Sequence, residues 1–310
     1  MIKFCIYNSM KKGEEMKFNK GSVFLISAAI VWGFGLVSQR MGMEYLGPLG
    51  FTAVRCILGG LSMLPLVMYM EKKAPPAEGT GKEAFKGSLV CGLLLAVVII
   101  CQQVGIQFTS VGKAGFITAL YILITPVCGL FLGKKVAKNT WLAVAIALVG
   151  MYFLCLSGGI EAINMGDVIM IGAAFACAAQ MHAIDHYVKK AEVVKLSCFQ
   201  FLVVGLVCLV PAMIIESDTL TISNIIDGIL PIAYSGLVSC AGGYTLQNIG
   251  QKYTEPATAS LLLSTETVFT LFAGWLLLGE VLKSQEYIGC IIMFAAIIIA
   301  QIPNKNKEVI

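Results

Sequence analysis

Charge is scarce in this chain. Only 13% of its 310 residues are Asp, Glu, Lys or Arg, and it has two histidines. A soluble domain carries roughly 25% charged residues, so this composition cannot clothe a folded surface in water-facing groups. The phosphate-cradling pattern G-x-x-x-x-G-K-[ST] is absent, which removes ATP-driven work by this chain alone. No C-x-x-C pair occurs among the 11 cysteines. Most of them, such as Cys56, Cys91, Cys101, Cys177 and Cys290, sit inside apolar runs, where a thiol packs as a small hydrophobe. The net charge of +4 is spread over short connectors, which argues against nucleic acid as a partner. Nothing in the sequence calls for a cofactor.

Apolar sequence is abundant. Hydrophobic residues make up 58% of the chain, and the mean hydropathy is +0.85. A helix crosses the hydrocarbon core with about 20 mainly apolar residues. Such runs fall at 22–40, 50–69, 87–106, 111–132, 140–157, 167–187, 196–215, 229–249, 257–278 and 285–302. The expected fold is therefore an all-α integral membrane protein of ten transmembrane helices in a lipid bilayer.

With the N-terminus inside, eighteen lysines fall on the cytoplasmic side of these spans. Only Arg40, Lys113 and Lys283 fall outside, and Arg55 lies within a span. The positive-inside rule then places both termini in the cytoplasm of a multi-pass cell-membrane protein. Arg55 and Lys113 lie close enough to an outer interface to snorkel.

The two halves align when the sequence slides by 145 positions. Asn19/Asn164, Gly21/Gly166, Gly60/Gly205, Gln102/Gln247, Gly105/Gly250 and Thr109/Thr254 coincide, and Gln103/Asn248 and Arg55/Gln200 keep polar character at membrane depth. One further residue aligns Gly133 with Gly279. Five spans per unit is an odd number, so the second copy enters the membrane inverted, an arrangement that serves alternating access. The expected division is a tail over 1–16, a first repeat over 17–157, a second over 158–303 and a tail over 304–310.

Trp32-Gly33, the run from Gly112-Lys113-Ala114-Gly115-Phe116-Ile117-Thr118 to Pro126, Gly166-Asp167 and Gly279-Glu280 resemble the drug/metabolite transporter superfamily with paired EamA domains. The resemblance spans about residues 17–302 and implies a ten-helix inverted-repeat carrier, often an exporter of amino acids, metabolites or drugs. Two departures stand out. Glu266-Thr267 occupies a place where Glu-Pro is common, and Gly133-Lys134-Lys135 replaces Gly-Glu-Arg.

Ionisable groups inside a bilayer cost at least about 2.5–3.5 kcal/mol, so each needs a reason. Glu266 lies about 15 Å into its span at 1.5 Å per residue, with Thr270 one turn later. It is the candidate for coupling to a proton, and a hydrogen-bonded structural Glu is the alternative. Tyr244, Gln247, Asn248 and Gln251 form one stripe, and Gln102 and Gln103 mirror it in the first half. Amides carry both donors and acceptors, which suits a polar solute, although they also join helices. Trp32 and Tyr121 are candidates for apolar or stacking walls, with plain packing as the alternative. Together Trp32, Gln102, Gln103, Tyr121, Tyr244, Gln247, Asn248 and Glu266 are the expected pathway for a small-molecule substrate.

His182, Asp185 and His186 share a helical face, and H-x-x-D-H resembles the H-x-x-E-H of some zinc proteases. Asp is one methylene short of Glu and no third ligand follows, so an interfacial polar cap or a cytoplasmic gate is the favoured reading. An intramembrane zinc enzyme and a non-transporting scaffold are the rivals from other classes.

Overall fold

The computed structural model describes residues 20–73, 80–105, 108, 117–155, 164–279 and 284–301. Among them the architecture is all-helical, with no strand. The elements are α1 (Lys20–Gly42), α2 (Pro48–Lys73), α3 (Thr80–Gly105), α4 (Tyr121–Phe131) and α5 (Lys138–Cys155). The second half repeats the order as α6 (Met165–Tyr187), α7 (Val193–Ile215), α8 (Ile229–Tyr253), α9a (Pro256–Leu263), α9b (Glu266–Leu278) and α10 (Ser284–Gln301). A short surface helix, Ile222–Asp227, precedes α8.

Seven helical stretches are long and apolar enough to cross a membrane, α9a and α9b counting as one. Three shorter apolar stretches, Ile117–Phe131, Lys138–Phe153 and Tyr287–Ala300, stand at the other three expected spans. The motif residues Gly112–Phe116, together with Lys113 and Glu280, lie outside the described residues.

Local sequence sets the helix ends. Pro48 and Pro256 occupy first-turn positions, where a missing N–H costs little. Asn164 and Asp167 form a reciprocal capping box at the start of α6, with bonds of 3.1 and 2.9 Å. Gly133 and Gly279 adopt φ of 71° and 67° just past α4 and α9b, the left-handed conformation that ends a helix cheaply only at glycine.

Packing repeats under exchange of the halves. Helix α2 packs on α7, α4 on α9a, and α5 on α10, each against its own counterpart. The remaining major pairs come in twos: α1 with α9b matches α6 with α4, α3 with α6 matches α8 with α1, and α3 with α7 matches α8 with α2. At the α2–α7 crossing, a Cβ on Gly60 would meet Leu202 at 2.6 Å and one on Gly205 would meet Ile57 at 2.6 Å. Ile57 and Leu202 are themselves 145 positions apart. Small residues let helix backbones approach where lipid offers no hydrophobic drive.

One part of the repeat departs from the uniform slide. Gly92 packs against Gln200 and Val203, whereas Gly236 packs against Arg55 and Leu58. Those neighbours are 145 apart, but the two glycines are 144 apart. By Gly105 and Gly250 the offset has returned to 145, since these meet Gly166 and Gly21 respectively. The extra residue in α8 is absorbed by a π-helical segment, Tyr234–Gly243. Such insertions widen a helix by one residue and recur at functional sites.

Candidate functional site

The π-segment aims α8 at α1. Trp32 donates from Nε1 to the Ser239 carbonyl at 3.4 Å, Tyr234 donates to the Val31 carbonyl at 3.2 Å, and Ser38 donates to the Pro231 carbonyl at 2.9 Å. One carbonyl of the π-segment, that of Ser239, thus finds its partner on α1. Immediately after the segment, Tyr244 lies between two rings, with centroids 4.4 Å from Trp32 and 4.9 Å from Phe201.

The ninth span is broken beside this aromatic cluster. A continuous helix is expected over 257–278, yet α9a stops at Leu263 and α9b restarts at Glu266. No proline causes the break. Ser264, Thr265 and Thr267 instead return their hydroxyls to the carbonyls of Leu261, Leu262 and Ser264 at 2.7, 2.6 and 3.1 Å. Hydroxyl back-bonding competes with the helical ladder and bends it. The Glu-Thr sequence therefore keeps a break at this point by other means than proline. Gly33 makes the adjacent crossing possible, because a Cβ there would sit 2.8 Å from the Thr270 nitrogen.

Glu266 occupies the first turn of α9b, where the helix dipole favours a carboxylate. Its side chain is half-buried and makes no hydrogen bond or ion pair with a described residue. Thr270 does not bond the carboxylate; its hydroxyl donates to the Glu266 backbone carbonyl at 2.9 Å. Tyr121 from α4, Cys177 from α6 and Tyr244 from α8 lie within electrostatic reach of Glu266. Four expected pathway residues, Trp32, Tyr121, Tyr244 and Glu266, thus converge where α1, α4, α8 and α9b meet. Such a place can hold an apolar or aromatic body and present it with a carboxylate that has no partner among the described residues.

The amides divide differently from the expected stripe. Gln247 donates to Gln251 at 3.1 Å, Gln251 donates to the Met181 carbonyl at 3.1 Å, and Asn248 donates to Ser197 at 2.7 Å. All three are buried, and these bonds tie α8 to α6 and α7. Gln103 donates to Gln39 at 3.2 Å. Gln102 alone of the set is half-buried with no bond to a described residue. The repeat-related Gln102 and Gln247 therefore have unlike surroundings.

His182 and Asp185 form a buried latch. Lys134 donates to Asp185 Oδ2 at 2.6 Å and Lys189 to Oδ1 at 2.7 Å. His182 donates from Nε2 to the Thr125 carbonyl at 2.9 Å, leaving Nδ1 to accept from Lys134 at 3.3 Å. His186 is separated from them: it is exposed and accepts from Lys190 at 2.9 Å. Adjacent helical positions diverge by 100°, so Asp185 and His186 face different neighbours. Among the described residues no group of three His, Cys, Asp or Glu is placed to hold a metal ion. Sequence reasoning missed Phe201, Cys177 and Lys134. Only Lys134 carried a signal, as the basic residue standing where Glu is usual.

With this geometry in view, the comparisons with known proteins decide the family. The EamA-like transporter family matches the chain twice, over residues 19–156 and 164–301. The chain belongs to the EamA-like transporter family. This EamA-like chain is 25% identical to an uncharacterized transporter of Archaeoglobus fulgidus, over 90% of its own length and 84% of the relative's. It is 26% identical to the uncharacterized transporter YwfM of Bacillus subtilis, covering 94% and 97% of the two chains. It is 24% identical to the uncharacterized inner membrane transporter YedA of Escherichia coli, covering 89% of each. A solved crystal structure shares the EamA-like fold with a TM-score of 0.75 at 12% identity, over 90% of this chain and 96% of that one.

Proposed function

We propose that this membrane protein is a secondary transporter that moves a small metabolite, amino acid or drug-like solute outward by alternating access. The observation that carries the reading is Glu266, a carboxylate without a partner among the described residues, at a break between half-helices and within electrostatic reach of Tyr121 and of Tyr244, which stacks near Trp32. Discontinuous helices at the interface of structural repeats are where transporters of this kind hold solute and coupling ion. The paired helix contacts support two inverted five-helix repeats, over 17–157 and 158–303, with ten spans between cytoplasmic tails.

In this topology the latch of Lys134, Asp185, Lys189 and His182 closes the cytoplasmic end, as do the α8 amides below Tyr244. Gln102, in the other half and without a bond to a described residue, belongs to the open side. Rocking of one repeat against the other opens the latch and brings Gln102 into cover. Glu266 is the coupling residue and a proton the coupling ion. The test is a metabolite-wide comparison of efflux from cells expressing the wild-type chain or Trp32→Ala at equal membrane abundance. The proposal expects specific solutes to leave faster only with the wild type; identical efflux profiles would remove it.

A further inference from the structure

Arg55 is expected at an outer interface, its stem snorkelling to water. The structure gives it another setting. Its side chain turns back over Phe51, with the guanidinium 5.6 Å from the ring centroid, and the residue is 4% exposed. Phe51 is itself fully buried. Among the described residues the guanidinium finds no carboxylate and no hydrogen-bond acceptor, and Nε is buried without a partner.

The Thr52 hydroxyl, one turn before Arg55, is buried and unpartnered among the described residues. At the opposite end of the α2–α7 pair, both amide atoms of Gln200, the counterpart of Arg55 in the second half, are buried without a partner there as well. A guanidinium withdrawn from water without a counter-charge is costly. Replacing one partner's absence by packing does not relieve it, because Arg does not give up its proton in proteins. Among the described residues nothing supplies that counter-charge, and a bound anion would.

Position narrows what that anion is. Tyr244 lies within electrostatic reach of both Arg55 and Glu266, so both charges lie near the aromatic cluster. A free guanidinium presents a planar fork that fits a carboxylate with two parallel bonds. We propose that Arg55 is the anion-binding residue of the transport pathway and that the transported solute carries a carboxylate. The body of the solute then lies along Tyr244 and Trp32. This rests on the transporter reading above and adds the substrate class to it.

The test uses the purified full-length protein in detergent at low salt, with thermal unfolding as the readout. The probes are benzoate with benzamide and 3-phenylpropionate with its amide, each amide supplemented with equimolar sodium chloride. The expected result is a higher midpoint with the carboxylates than with the amides. Half-saturation should rise at least tenfold in Arg55→Gln and less in Arg55→Lys, which keeps the charge without the fork. If Arg55→Gln does not purify folded, Arg55→Lys alone must show the weakened preference. Equal stabilisation by carboxylates and amides, or by sodium chloride alone, overturns the assignment. A carboxylate preference without flux of any solute in vesicles keeps the site and removes the transporter. Flux without a carboxylate preference does the reverse.

Discussion

Glu71 and Glu216, 145 positions apart, fasten the same helix pair at opposite ends. Glu216, at the end of α7, accepts from the backbone nitrogens of Leu49 and Gly50 at 3.1 and 2.7 Å. Glu71, near the end of α2, accepts from Lys195 in the first turn of α7. Each carboxylate therefore reaches the start of the other helix, one as a cap in trans and the other through an ion pair. With the Gly60 and Gly205 crossing between them, α2 and α7 are held at both ends and at the middle.

The Glu216 cap has a steric condition. A Cβ on Gly47 would lie 2.3 Å from the Glu216 carboxyl carbon. Glu216→Ala should destabilise by about 1 kcal/mol, the usual worth of a lost cap. Gly47→Ala should cost about as much, because it displaces the same carboxylate. The double variant should cost clearly less than the sum of the two, as expected for groups in contact. Denaturation of the three variants in detergent checks this, and strict additivity would show that Gly47 acts through something other than Glu216.

The amides should separate by assay. Asn248→Leu removes a 2.7 Å bond from a fully buried side chain and leaves Ser197 only its bond to the Val193 carbonyl, so it should lower stability by about 1 kcal/mol. Gln102→Leu breaks no bond to a described residue and should leave stability within about 0.5 kcal/mol, while lowering flux. Unfolding and transport measured on both variants decide it. A stability loss in Gln102→Leu as large as in Asn248→Leu would contradict the division.

How much of this was legible in the sequence depends on the period of the signal. The ten apolar runs and the 145-residue slide are long patterns, and among the described residues a helix falls within each run, seven of them long and apolar enough to span. The break at Ser264–Thr265 was not legible, because no proline marks it and hydroxyl back-bonding depends on local geometry. The π-segment was hidden because Gln102/Gln247 and Gly105/Gly250 still align at 145, which masks one residue inserted earlier in α8. Spacing put Gln247, Asn248 and Gln251 on one face with Tyr244, but it could not say what that face met. Only packing against Met181 and Ser197 turns three of the four into joints between helices.

The latch makes a charge-specific prediction. Asp185 is 5% exposed and contacts two lysines whose side chains are much more open. Solvent screening of the lysines limits the cost of Asp185→Asn to about 1–2 kcal/mol. If the latch closes the cytoplasmic end, the variant should speed reaction of a thiol reagent with an engineered cysteine at Thr125, added from the cytoplasmic side. The exchange Lys134→Asp with Asp185→Lys should slow it again. Equal labelling in all variants would reduce the cluster to a surface cap.

The inserted residue in α8 is open to deletion. Gly242 meets little beyond the Leu237 carbonyl, 3.8 Å from a Cβ placed on it. Removing it should let Tyr234–Gly243 wind as α-helix and change the facing of the preceding turn by about 100° relative to Tyr244. The Trp32 to Ser239 bond would then be lost. Insertion and helix content should survive, and flux should fall at least tenfold. Retained flux would show that the π-segment has no part in the pathway.

The central claim is that this chain carries solute across a membrane, and purified protein in sealed vesicles tests it most directly. Vesicles are loaded with a cellular metabolite extract, and solutes released over time are identified by mass spectrometry for the wild type, Glu266→Gln and protein-free vesicles. The account predicts a narrow set of carboxylate-bearing solutes leaving through the wild type, faster under an inward proton gradient. Glu266→Gln should exchange the same solutes and lose the response to the gradient. Release from wild-type vesicles indistinguishable from protein-free vesicles, with the protein shown folded and inserted, would contradict the account.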